Sequence, residues 1–135
     1  MANEIKLAEA AREIARELGK LPAESPLPFG KGYVFKVDDR DKVSCCAIGH
    51  VINRAGLSVL VKGRSNGMSG MTYRSSDAAI KDVCGVGDLE KQVSEAIGDV
   101  VEANDYSSDP ALVANRLYNL ADCLEMSTVP TSAEA

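Results

Sequence analysis

The sequence predicts a mainly α-helical fold, a small bundle of four to five helices around a buried central helix. Three observations carry this prediction. Apolar residues recur at helical spacing in three long segments, a fourth segment is apolar around most of its circumference, and β character is confined to short stretches near 33–37 and 57–61. The chain has 135 residues, 45% of them hydrophobic, which suits one core built from residues 1–126. The remainder, STVPTSAEA at 127–135, is predicted to be a disordered tail. With two Phe, four Tyr and no Trp, the core must be aliphatic.

The first helix is predicted over 3–18, where Leu7, Ala11, Ile14 and Leu18 form a stripe and Glu9, Arg12, Glu13, Arg16 and Glu17 take the opposite face. Gly19 and Pro22 mark its exit. The stretch 21–32, LPAESPLPFGKG, is too rich in Pro and Gly for a regular element and reads as an arm. YVFKV at 33–37 has strand composition, and Asp38, Asp39 and Asp41 belong to a solvated turn. Residues 43–55 read as the central helix, with Cys45, Cys46, Ala47, Ile48, Val51, Ile52 and Ala55 spread around it and Gly56 as its stop.

After LSVLV at 57–61 comes a long loop, GRSNGMSGMTYRSS at 63–76, and then a short helix over 77–83 that ends at the Cys84–Gly85 turn. A further amphipathic helix is predicted over 89–103, capped by Asp88 and stopped by Asn104, a residue tolerant of left-handed backbone. Asp109 followed by Pro110 combines a capping carboxylate with the residue favoured at the first helical position. Val113, Leu117, Leu120 and Leu124 trace the buried face of the last helix, which pairs with the preceding one as an antiparallel hairpin.

The formal charge of −5 deprives the chain of the general driving force for phosphate neutralisation, so no nucleic-acid partner is predicted. No run of apolar residues is long enough to span a bilayer, and the N-terminus lacks the layout of a signal peptide, so neither a membrane partner nor export is predicted. Cys45, Cys46, Cys84 and Cys123 form no CxxC pair and read as reduced thiols of a cytoplasmic protein.

The sharpest candidate chemistry is Cys46 with His50. Four residues apart on one helix, a thiol and an imidazole share a face and can form a nucleophile–base pair. The same stripe is apolar, however, and unpaired cysteine is among the most buried residue types, so interior packing is the preferred reading. The glycine-rich loop suggests a second possibility. Lys62, Arg64 and Arg74 flank it with positive charge and could hold an anion or a phosphorylated ligand over 62–74, although the glycines match no nucleotide-binding motif. One histidine and scattered cysteines do not supply a metal site, and no cofactor is predicted.

The order of motifs has a further aspect. A LAEAAREIARELG helix is followed by Cys46-Ala47-Ile48-Gly49, an Asn104-Asp105 pair and a final helix of Leu and Ala. This arrangement, over residues 5–124, resembles an uncharacterised family of small bacterial and phage proteins with a Cys-Ala-Leu/Ile-Gly helix and a later Asn-Asp helix end. Family members usually carry a small residue in place of His50 and often an aromatic in place of Ala103. The resemblance implies a helical architecture and a microbial or viral source, and it carries no activity.

These readings converge on a non-catalytic helical binding protein that acts through protein–protein contacts, as a phage or mobile-element accessory factor, with homo-oligomerisation open. The arm at 21–32 and the loop at 63–76 are its predicted contact regions. The alternative is a thiol enzyme using Cys46 and His50, and a second alternative is anion binding at 62–74.

Overall fold

The computed structural model describes residues 2–22, 25–29, 35–37, 43–57, 70–71, 76–107 and 109–127, with the backbone alone at 35–37, 43–45 and 70–71. Within them the protein is a small helical bundle with one minor sheet. The elements in chain order are α1 (Asn3–Gly19), β1 (Phe35–Val37), β2 (Val43–Cys45), α2 (Ala47–Arg54), β3 (Gly70–Met71), α3 (Ser76–Cys84), α4 (Lys91–Tyr106) and α5 (Pro110–Met126).

The α1–α5 pair forms the most extensive helix–helix contact. Small residues make this possible. Ala8, Ala10, Ala11 and Ala15 of α1 and Ala114 and Ala121 of α5 are buried, so the two backbones approach closely, and Leu7, Leu117, Leu120 and Leu124 are buried in the core around them. Arg12 clamps the polar edge of the contact, donating to Asp122 at 2.7 Å and also to Glu125. The predicted α4–α5 hairpin is present. Asp109 accepts a hydrogen bond from the Ala111 amide at 3.0 Å, and Pro110 opens α5. The predicted aliphatic core is also present, with Phe29 the single buried aromatic among the described residues.

Helix α2 packs against α1, α3 and α4, with Ala47, Ile48, Gly49, Val51 and Ile52 buried. It is shorter than the predicted 43–55 helix. Val43–Cys45 is instead a strand, pairing antiparallel with β1 in the register Phe35↔Cys45, Lys36↔Ser44 and Val37↔Val43. This pairing gives the backbone of 43–45 partners six to ten residues earlier in the chain, which overrides the local helical pattern. The strand predicted at 33–37 is seen as β1 over 35–37. Of the extended segment predicted at 57–61, Leu57 lies in no regular element and 58–61 fall outside the described residues. All but Ser127 of the predicted tail also falls outside them.

Two further boundaries differ from expectation. Helix α4 starts after Glu90 rather than Asp88 and runs through Asn104 to Tyr106. Gly19 is the last residue of α1 without a left-handed backbone. Among the described residues Gly56 (φ 78°) and Gly85 (φ 70°) are the glycines that adopt one, ending α2 and α3. In each case the next amide reaches back five residues, Leu57 to the Ile52 carbonyl at 3.1 Å and Val86 to Lys81 at 3.2 Å, which is the Schellman closure.

The sheet order β2-β1-β3 has a directional consequence. Both outer strands run antiparallel to β1, so they are parallel to each other and deliver the chain towards the same end of the molecule. Helix α2 follows β2, and α3 follows β3 a few residues later, so both helices begin at that end.

Truncating Leu117 to Ala should lower unfolding free energy by about 2–5 kcal/mol in urea titration, because a fully buried side chain leaves a cavity in the α1–α5 contact. Glu9→Gln, on the exposed face of α1, should change it by less than about 0.5 kcal/mol.

Candidate functional site

The residues with reactive or polar side chains that the fold brings together lie where α2 and α3 begin. A helix start leaves amides without intrahelical acceptors, so each must find a partner nearby. Cys46 occupies the N-cap position of α2 with extended backbone and forms no capping hydrogen bond from its side chain. The acceptor comes from another helix. Asn104, on the last turn of α4, accepts the Ala47 amide at its side-chain oxygen, 3.2 Å away. Its amide nitrogen donates to the Asp105 carboxylate at 2.9 Å. Asn104 is 1% exposed, so this cap is made inside the core.

The sulfur of Cys46 is itself buried, at 5% exposure. The Ile48 and Gly49 amides and the Ser76 hydroxyl face it and favour a thiolate, while Asp105 opposes one. Burial is the largest influence, and the net effect raises the thiol above its usual range. Among the described residues the other thiols behave alike. Burial and the adjoining Glu4 carboxylate push Cys84 up to about 12, and burial followed by Asp122 raises Cys123.

His50 is only half-buried, and its backbone amide bonds to the Cys46 carbonyl at 2.9 Å as part of α2. Its imidazole does not engage the sulfur. The ring packs on Phe29, with centroids 4.9 Å apart and planes tilted by 59°. Burial, followed by repulsion from Arg54, holds its pKa below the ordinary value. Arg54 in turn binds Glu17 at 2.7 Å and Glu13 at 3.4 Å. Phe29 and the partly buried Leu27 belong to the predicted 21–32 arm, so this part of the arm is folded against the core.

Lys62, Arg64 and Arg74, the predicted anion-binding residues, lie outside the described residues, as do Asp38, Asp39 and Asp41. Among the described residues no three potential ligands cluster around a metal position, and no helix is long and apolar enough to cross a membrane. Sequence reasoning took Asn104 as a helix stop and missed both its capping role and the approach of Ser76. A signal for Asn104 was present. It follows Val93, Ile97 and Val100 at helical spacing and therefore falls on the buried stripe of α4. Ser76 carried no such signal, because its approach depends on the sheet.

The chain matches no family model, and no curated protein or solved structure matches it.

Replacing Asn104 with Ala should cost about 1–3 kcal/mol, since it strands a buried amide, and should speed hydrogen exchange at the start of α2. The His50 shift predicts a pH effect of definite sign. The unfolded chain takes up the proton first as pH falls through the ordinary 6.5, so the contribution of the neutral imidazole is complete above that value and is lost below it. The urea midpoint should therefore fall between about pH 7.5 and about pH 5, and His50→Gln should flatten that decline. Loss of stability from the lowered Glu17 carboxylate sets in only further into acid, below its ordinary 4.5.

Proposed function

We propose that this protein is a non-catalytic helical binding domain that acts through protein–protein contacts. One observation carries the reading. Cys46, the nucleophile of the rival thiol-enzyme reading, is buried with its sulfur turned towards the helix amides and Ser76, and the His50 imidazole stacks elsewhere. A nucleophile needs a thiolate that a substrate can reach and a base aimed at it, and this arrangement supplies neither. The chemistry of the cluster is consumed in joining α2, α3 and α4.

Charged and aromatic groups are left to the surface, where recognition by contact takes place. A role as a bacterial or phage accessory factor is part of this proposal. Three described thiols free of disulfides suit a reducing cytoplasm.

The test is iodoacetamide labelling of the native protein across pH, mapped by mass spectrometry. Cys46 should remain unmodified from neutral to mildly alkaline pH and react only after denaturation. Rapid native labelling that already plateaus near neutral pH would overturn the reading in favour of a Cys46 enzyme.

A further inference from the structure

The second face that draws notice is the outer groove between α4 and α5, of about 200 Å³, lined by Asp99, Glu102, Tyr106, Leu112 and Arg116 with Ala103 at its floor. Tyr106 is 86% exposed, the most exposed large hydrophobic residue among those described. A tyrosine in that state at a helix end contributes nothing to the core, and its ring is well suited to a contact surface.

The charges of the groove are arranged by helix. Asp99 and Glu102 stand on the α4 wall and Arg116 on the α5 wall. All three are exposed, and among the described residues none takes part in an ion pair within 4.0 Å, unlike Arg12 and Arg54, which are both engaged by carboxylates. A groove with an acidic wall, a basic wall and an apolar end is complementary to its own copy. A twofold axis along the groove, lying between two facing molecules, sets α4 of each against α5 of the other at the same level. Arg116 of one copy then meets Asp99 and Glu102 of its partner, twice by symmetry, while Tyr106 and Leu112 meet their counterparts at the apolar end.

We infer that the α4–α5 groove is the interface of a homodimer, closed by Arg116 against Asp99 and Glu102 across a twofold axis. The inference rests on the reading of the protein as a contact module and names one partner, a second copy of the chain. A basic peptide alone would leave Arg116 facing like charge, and an acidic one would leave Asp99 and Glu102 doing so.

The test is sedimentation equilibrium on the full chain and three charge-altered samples, with folding checked by circular dichroism. The unaltered protein should show twice the chain mass of 14.3 kDa. Arg116→Glu alone, and Asp99→Lys with Glu102→Arg in one chain, should each weaken self-association by about a hundredfold or more, because like charges then oppose across the axis. An equimolar mixture of these two variants should recover the dimer, since every pair is again of opposite sign. A monomeric unaltered protein, variants that remain dimeric, or a mixture that stays monomeric would each overturn the inference. None of these outcomes alters the protection of Cys46, so failure here is distinct from failure of the broader reading.

Discussion

The Ala47 amide at the start of α2 must find an acceptor, and the rest of the molecule is arranged around the one it finds. An isolated helix of eight residues is marginal in water, and α2 begins at a cysteine, a weak cap. Asn104 supplies the acceptor from α4. This side chain ties the start of α2 to the end of α4. It also explains why a poor helix former is placed near the end of a helix that runs on past it. A shift of one residue turns a side chain by about 100° around the helix, and the amide would lose its partner.

The same geometry decides the character of Cys46. A helix N-terminus stabilises negative charge by about 0.3–1 kcal/mol, up to about 2 in buried settings. Complete burial opposes ionisation by up to several pKa units, each about 1.4 kcal/mol, and Asp105 adds repulsion on the same side. Burial therefore prevails over the dipole. Position at a helix start, often read as a mark of a reactive thiol, here marks a packing residue. Further out, where water could solvate the sulfur, the same dipole would dominate.

What was legible in the sequence follows the reach of the interactions concerned. The stripe of α1, the Asp109–Pro110 start of α5 and the glycine closures at Gly56 and Gly85 depend on neighbours within about five residues, and all can be read locally. Val43–Cys45 cannot, because three apolar or neutral residues running into a helix continue its pattern and only pairing with β1 makes them a strand. The convergence of Cys46 and Ser76 lies still further from local reading, since it requires both outer strands to run the same way. Spacing alone puts Cys46 and His50 on one helix face, but it carries no sign of Phe29, which reaches the imidazole from a proline-rich segment without periodicity.

The distribution of ion pairs separates the two sides of the bundle. On the α1 side, Arg12 ties α1 to α5 and Arg54 ties α2 to α1, so the basic groups that line these joints are engaged within the chain. Each pair is partly exposed and contributes little to stability, yet together they saturate the polar edges of the joints they span. On the α4–α5 side, Arg116 stands near two carboxylates without closing on them, beside an exposed tyrosine. Opposite charges brought together across an interface attract more strongly as water between them is removed, a gain set against the cost of desolvating each group. Among the described residues the joints of α1 thus carry closed ion pairs and the α4–α5 groove does not, which is the contrast on which the proposed twofold interface rests.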